Sequence, residues 1–387
     1  MPGQSPAHPA QRPRDLSSGA LEACRLGHGA VRRDFPLGDF RHSFLNCCKH
    51  QLLLDIVTIQ AMSRSIALLT ALGCLLLQPL GALEPGEPSR VAIEAAAARA
   101  VGSHDPDPFT RNPDWLAGPL LSPTELALIS SHPVNRAVDQ DPRISVQDPE
   151  VLPLIRLNTV RTRFIDDLLQ RAVRSGTTQV VILGAGLDSR AYRFRALLQN
   201  SRVFELDSPP TQEMKKRRVQ EVFGAPPPNV TYVPIDFAHD DLATMLRKAG
   251  FRSMDKAFFI WEGGCMYHQE PMVRTVLRDI SKSAPGSSLV MDFAFADGVA
   301  LARHDPTSSQ EHFDAVWGEP WLFGVPADPG AEAFFREFGF KTEEMLPVDS
   351  PAAVRRYLTH RDLTVVGMGL VVQNLAPIIL VELKVGG

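Results

Sequence analysis

From Gln179 onward short apolar runs alternate with helical patterns, and this alternation constrains the fold more than any other feature of the chain. The runs are QVVILGAG, RVFELD, VTYVPIDF, KAFFIWEGG, SSLVMDFAF, KTEEMLPV and PIILVELKV. Apolar runs separated by stretches long enough for crossover helices specify a doubly wound α/β fold: a mostly parallel seven-stranded sheet with helices on both faces. The last run follows a loop and is expected to lie antiparallel, at or near the edge. No internal repeat interrupts this order. At 387 residues, 44% of them hydrophobic, the chain can bury the core such a sheet needs.

The segments before Gln179 have a different character. Residues 1–61 are rich in Pro, Arg, His and Gly without periodicity and are expected to be disordered. Residues 62–86, MSRSIALLTALGCLLLQPLGALEPG, combine an arginine-bearing start, an apolar stretch and small residues, the pattern of a signal sequence placed internally. Two readings stand. Translation begins at Met62 and a signal peptide or membrane anchor follows, with membrane contact through 65–83; or the segment is a buried or peripheral helix. The apolar stretch is short for a membrane span, and a cytoplasmic location is the expectation, because the cofactor inferred below is a cytosolic metabolite. Residues 88–170 read as an N-terminal helical cap, with SRVAIEAAAARAVG a serine-capped helix and DPDPFTRNPDWLAGPLLSP a proline-punctuated connector. Residues 171–387 form the core.

The formal net charge of -4, with no dominant basic run, argues against nucleic acid as a partner. Cysteines 24, 47, 48, 74 and 265 form no CxxC pair and no cluster at metal-ligand spacing, so neither a disulfide framework nor a metal is implied.

The stretch VVILGAGLDSRAYRF, Val180 to Phe194, is the first candidate for a binding loop, because Gly184 and Gly186 let the backbone turn sharply and approach a ligand. In a dinucleotide fingerprint a third glycine would stand at Ser189. Asp188 instead brings a carboxylate to the helix start, which would repel a diphosphate and suit a ligand with a cationic centre. Further acids follow at the ends of successive strands: Asp207, Asp236 and Glu262. Each alone reads equally as a cap or turn former, but their recurrence points to a ligand. Asp207 lies about twenty residues past the glycine turn, where an acid takes ribose hydroxyls.

In LPLIRLNTVRTRFIDDLLQRAV, drawn as a helix, Leu154, Leu157, Phe164, Ile165 and Leu168 make an apolar stripe with Arg161 in its middle. A buried arginine needs an anion, either a protein carboxylate or a ligand carboxylate. Arg163 points elsewhere and reads as solvated or ion-paired. Acids, hydroxyl acceptors and one buried arginine together suit S-adenosyl-L-methionine.

The segments VRTRFIDDLL, VVILGAGLDSRAYRF, FELDSP, PIDF and WEGGCMYH, in this order, resemble the leucine carboxyl methyltransferase family, and most of all its bacterial branch of S-adenosylmethionine-dependent methyltransferases. The resemblance runs from about Pro88 to the C-terminus. It implies a Rossmann-like class I methyltransferase fold and roles for individual residues. Arg161 would pair with the cofactor's carboxylate, Gly184 and Gly186 would lie beneath its methionine, and Asp207 would hold its ribose. Asp236 and Phe237 would address the adenine, and Glu262 the amino end near the methyl group. Asp188 and Ser189 read as helix caps, with Arg190 pairing to an acid of the loop.

The chain departs from the family pattern at Trp261, Gly264, Cys265, Met266 and His268, which puts the acceptor pocket outside what the resemblance specifies. Tyr267 and His268 are the candidate catalytic groups for a hydroxyl acceptor, or else pocket lining. Cys265 reads as a small buried residue. The aromatic-rich stretch from Asp297 to Gly330, with Phe313, Trp317, Trp321, Phe323, His304 and His312, closes over an acceptor or packs as core. The expected function is methyl transfer to a carboxylate or hydroxyl of a small-molecule or peptide-terminal acceptor. The rivals are a nicotinamide-dependent oxidoreductase and a non-catalytic S-adenosylmethionine-binding module.

Overall fold

The computed structural model describes residues 86–105, 107–130, 153–304, 318–358 and 378–386. The expectations for 1–61, for the apolar segment 62–85 and for residues Phe313, Trp317 and His312 lie outside these residues. Among the described residues no helix is long and apolar enough to cross a membrane.

All seven apolar runs form strands: β1 (Gln179–Leu183), β2 (Arg202–Asp207), β3 (Val230–Pro234), β4 (Ala257–Trp261), β5 (Ser288–Phe293), β6 (Phe340–Pro347) and β7 (Ile379–Val385). They make one sheet in the order β3-β2-β1-β4-β5-β7-β6. The pairs among β1 to β5 are parallel, and β7 runs antiparallel to both β5 and β6. This is the mostly parallel seven-stranded sheet that the apolar runs lead one to expect. The last run is antiparallel and lies near the edge, as expected, one strand in; β6 takes the edge itself, and its alternating exposure fits an outer strand. Every residue of β1, β4 and β5 is buried, as expected for central strands covered on both faces.

The helices are α1 (Arg90–Gly102), α2 (Pro123–Ser130), α3 (Pro153–Arg174), α4 (Arg190–Arg193), α5 (Arg195–Leu198), α6 (Pro209–Phe223), α7 (Leu242–Lys248), α8 (Glu270–Ser281), α9 (Ala296–His304), α10 (Ala331–Arg336) and α11 (Pro351–Tyr357). α3 is the hub. It packs on β4 and β5 from one side and on α1 from another, so polar residues such as Asn158, Thr159 and Thr162 are buried along with the apolar ones. The single apolar stripe read from the sequence was too narrow: a helix covered on several faces buries more than one row. The α1–α3 crossing is close because Gly102 carries no side chain; a Cβ there would meet Asn112, Ile155 and Thr159 at 3.1 to 3.3 Å.

Two caps fasten the N-terminal helices. Ser122 and Glu125 form a reciprocal capping box at the start of α2, Ser122 N–H donating to Glu125 at 2.7 Å and Glu125 N–H to Ser122 Oγ at 3.2 Å. Arg218 of α6 then pairs with Glu125 at 2.7 Å and ties α2 to the core. At α1, Ser89 Oγ accepts from Ala92 N–H, while Glu319 accepts from the backbone N–H groups of Arg90 and Val91 at 2.7 and 3.0 Å. A carboxylate from far along the chain thus satisfies the positive end of α1.

Candidate active site

The parallel register sets the carboxyl ends of β1 to β5 level, Leu183 opposite Leu206, Asp207 opposite Pro234 and Trp261 opposite Met291. The residues that follow these ends therefore converge on one edge of the sheet, where doubly wound folds place ligands. A cavity of about 610 Å³ opens there, within the range of cofactor sites. Arg161, Gly184, Gly186, Asp207, Asp236, Phe237, Glu262, Tyr267 and His268 all line it. Every site residue singled out in the sequence is thus brought together.

The glycine turn behaves as its sequence requires. Gly184 and Gly186 hold φ of +59° and +41°, a region that other residues enter at a cost of roughly 1–2 kcal/mol. A Cβ on Gly184 would project into open space, and one on Gly186 would come within 3.0 Å of Ala92 Cβ. The first glycine leaves room on the cavity side, and the second lets α1 lie across the turn. Asp207 fastens the turn from β2, accepting from Gly186 N–H at 2.5 Å and from Ser208 N–H at 2.7 Å. Burial pushes its carboxyl above the ordinary range while these two donors pull it back.

Asp236 stands at the exposed rim. Its carboxylate accepts from Ala238 N–H at 2.9 Å and sits 2.7 Å from His239 Nδ1, and the His239 contact leads in holding its carboxyl below the usual range. Phe237 beside it is half-buried and packs against His268, ring centroids 5.5 Å apart.

The charged floor differs from the sequence expectation in its wiring. Arg161 is not a lone guanidinium awaiting a ligand: its Nη1 lies 3.0 Å from Asp292 Oδ2, its Nη2 donates to Asn158 at 2.8 Å, and its Nε is 3.0 Å from Glu262 Oε1. Of the two partners left open by the sequence, protein carboxylates are the ones observed. Asp292, fully buried within β5, also accepts from Gly263 N–H at 2.6 Å. Arg163 donates instead to the backbone carbonyls of Pro108 and Arg111 at 3.3 and 2.7 Å.

Of the two expected caps, one is corrected and one is met. Ser189 caps nothing with its side chain; its hydroxyl donates to Asp114 and accepts from Arg193, so a buried polar link occupies the place of the third glycine. Asp188 does cap the helix start, its Oδ1 accepting from Arg190 N–H at 2.7 Å, and it is paired as well. Arg190 binds it at 2.5 Å and also reaches Glu262 at 2.5 Å and Asp166 at 2.7 Å. The ion pairs join end to end: Asp292, Arg161, Glu262, Arg190, then Asp188 on one branch and Asp166, Arg193, Asp114 and Arg99 on the other. Four guanidiniums face five carboxylates, leaving one formal negative charge in excess. The cationic preference first attributed to Asp188 alone thus resides in the whole network. Burial opposes the charge on Glu262, yet Arg190 and Arg161 hold its carboxyl down at about 2.

Two atoms of this floor are left over. Arg161 Nε and Glu262 Oε1 are both buried and close, but neither makes an aligned hydrogen bond. They meet as an ion pair at 3.0 Å that lacks an aligned hydrogen bond, so each keeps hydrogen-bonding capacity that the carboxylate and the ammonium of an amino-acid zwitterion would use. The glycine cradle and Asp207 lie next along the sheet edge, so the residues present fit an amino acid joined to a nucleoside.

Glu94, Tyr267, His268, Glu319 and Trp321 also line the cavity. Leu322 and Phe323 donate their N–H groups to Met266 carbonyl at 2.6 and 3.1 Å, which binds the segment after residue 318 to the 3-10 turn Cys265–Tyr267. Of the aromatic stretch, Trp321 and Phe323 are both buried in the core, and Trp321 also lines the cavity. Burial lowers His268 to about 4, so its imidazole is neutral at physiological pH. Burial raises the Cys265 thiol well above its usual range, and Sγ rests 3.1 Å from Asp292 carbonyl, which leaves it a packed residue and not a nucleophile.

Residues 92–281 match the family model described as leucine carboxyl methyltransferase. A protein of Mycolicibacterium vanbaalenii named "Putative S-adenosyl-L-methionine-dependent methyltransferase" is 33% identical over 221 residues, 56% of this chain and 71% of the relative. A Mycolicibacterium gilvum protein of the same name is 35% identical over 208 residues, 52% of this chain and 64% of that one. Among solved structures, a DUF574 family protein from Streptomyces avermitilis aligns with a TM-score of 0.45 at 13% identity, covering 76% of this chain and 99% of that one. The nicotinamide reading finds no support among these relatives, and the buried Ser189 link explains why the third glycine of a dinucleotide fingerprint is missing.

Proposed function

The chain belongs to the leucine carboxyl methyltransferase family of S-adenosyl-L-methionine-dependent methyltransferases, and we propose that its cavity binds this cofactor and transfers the methyl group to an oxygen of a small-molecule or peptide-terminal acceptor. The observation that supports the reading is the Arg161 Nε–Glu262 Oε1 ion pair, without an aligned hydrogen bond, lining one cavity with the Gly184–Gly186 turn and Asp207. Arg161 would hold the cofactor's carboxylate, Glu262 its ammonium and Asp207 its ribose hydroxyls, with Asp236 and Phe237 at the adenine.

The cofactor supplies a methyl carbon made electrophilic by a positive sulfur. The protein's part is to hold that carbon in line with the acceptor oxygen and to keep water away. Met266, Tyr267 and Trp321 provide an apolar wall for this purpose. The network's excess negative charge favours the cationic cofactor over its neutral product, which assists product release. Calorimetry with S-adenosylmethionine, S-adenosylhomocysteine and NADH tests the reading. Both sulfur compounds are expected to bind in the micromolar range or tighter, and binding of NADH alone would overturn it.

A further inference from the structure

We propose that Lys215 is a positioning residue for the cofactor: from behind the glycine turn its ammonium orients the Ala185–Gly186 peptide and holds Asp207 as a carboxylate ready for ribose hydroxyls, with Glu205 as its internal counter-charge. This rests on the methyltransferase reading above and adds to it a residue that does not touch the ligand.

Lys215 and Glu205 form a buried ion pair outside the cavity lining. Glu205 sits within β2 with no exposed surface, and Lys215, 1% exposed, meets it from α6. Nζ lies 2.7 Å from Oε2, without an aligned hydrogen bond. Replacing such a pair by apolar side chains is often neutral or stabilising, so stability alone does not account for it. The next contact does. Lys215 Nζ is 3.4 Å from the carbonyl of Ala185, which also accepts from Asp188 N–H at 2.7 Å. The other end of the same peptide unit, Gly186 N–H, donates to Asp207 at 2.5 Å. One peptide group is thus held between an ammonium at its oxygen and a carboxylate at its N–H. At 3.4 Å the ammonium contact is long for a hydrogen bond, and attraction between the charge and the peptide dipole contributes more than bond geometry. Glycine makes this hold necessary. Gly186 adopts positive or negative φ about equally readily, so turning the peptide over is sterically cheap. A turned peptide would aim its oxygen at Asp207 and its N–H at Lys215, and the charges select against it.

The groups facing Lys215 come from each element packed around it. Glu205 and Asp207 belong to β2. Tyr192 of α4 has its ring centroid 5.8 Å from Nζ, and its hydroxyl meets that of Tyr232 of β3 at 2.7 Å. Asp188 also acts on Glu205 but is tied to Arg190. Burial raises Asp207, while the N–H groups of Gly186 and Ser208, and then Lys215, pull it back. Burial lifts Glu205 to about 7 against the pull of Lys215. Glu205 therefore takes up its proton before Asp207 does, and the ammonium's field then falls on Asp207 undivided. Only an ionised Asp207 offers both oxygens as acceptors to a ribose.

The test compares the full-length wild type, Glu205→Gln, and the double variant Glu205→Gln with Lys215→Met. The two variants differ only in the ammonium, and Gln reproduces the shape of a protonated Glu205. In calorimetry with S-adenosylhomocysteine, Glu205→Gln is expected to bind within about threefold of the wild type, and the double variant at least about tenfold more weakly. Equal binding by the two variants overturns the proposal, as does a loss of more than about tenfold in Glu205→Gln, which would place the function on the carboxylate. The pH profile separates positioning from packing. In acid Glu205 is uncharged in the wild type, so both proteins that keep Lys215 present Asp207 with the same field. Without the ammonium Asp207 takes up its proton at higher pH. The acid limb of S-adenosylhomocysteine binding is therefore expected to move up by about half a pH unit or more in the double variant alone. An affinity loss of one size from about pH 5 to about pH 8 marks Lys215 as packing only and overturns the proposal. Failure of the wild type to bind S-adenosylhomocysteine sinks the methyltransferase reading and this inference with it, whereas wild-type binding matched by both variants sinks this inference alone. Should the double variant not fold, Glu205→Gln with Lys215→Gln carries the same expectations.

Discussion

Arg190 Nη1 lies 2.5 Å from Glu262 Oε2 across 72 residues of sequence, joining the start of the helix after β1 to the residue that follows β4. The same guanidinium binds Asp188 and Asp166, so it is the node on which the charged floor depends. Arg190→Met is expected to leave three buried carboxylates short of a partner and to destabilise the fold by about 3–5 kcal/mol. Denaturant unfolding measures this; a loss under about 1 kcal/mol would mean that the network is held by its other arginines.

Asp207 joins two roles, fixing Gly186 and facing the cavity. Asp207→Asn keeps the shape but replaces one acceptor oxygen by a donor. S-adenosylhomocysteine binding is expected to weaken by roughly 10- to 100-fold, the worth of a hydrogen bond to a charged group, and calorimetry reads it directly.

The two glycines of the turn are expected to respond differently. Gly184→Ala meets no atom within 4 Å, so the fold should lose only the roughly 1–2 kcal/mol of left-handed strain while the methyl intrudes on the ligand. Gly186→Ala runs into Ala92 at 3.0 Å and should lower the unfolding temperature further by displacing α1. Thermal scans and calorimetry on both variants separate the two effects.

Acid should destabilise the protein in two windows. His268 is depressed from 6.5 to about 4, so the unfolded chain takes up a proton that the folded one refuses, and stability falls as pH drops from about 6.5 towards 4. Glu262 is depressed from 4.5 to about 2, so its contribution is complete above about 4.5 and is lost as pH falls towards 2. Each is worth up to about 3 kcal/mol. His268→Gln should remove the upper window and leave the lower, as seen in stability curves measured at stepped pH.

Much of this was legible in the residues. Apolar runs in β1, β4 and β5 announce central strands because a strand covered on both faces has no place for alternation. The acids at strand ends were visible because the parallel register leaves them level. Their partners were not. Asp292 sits inside SSLVMDFAF, where a strand reading absorbs it, although a lone acid in a wholly buried run was itself a signal that a cation must meet it. Glu94 is hidden in an alanine-rich helix as an ordinary helix former. Arg190 read as local because its nearest acid, Asp188, is two residues away, while Glu262 arrives only through the β1–β4 pairing. The place of β7 between β5 and β6 depends on long-range pairing that no local pattern encodes.

That insertion of β7 bears on how the protein is made. As the polypeptide emerges from the ribosome, β5 has β4 on one flank and an open row of backbone donors and acceptors on the other, until residues 379–385 have been synthesised. The nascent sheet must pass through a stage with an apolar, unpaired margin, the kind of margin that recruits foreign strands. Biogenesis of this fold is thus most vulnerable between the appearance of its fifth strand and its seventh.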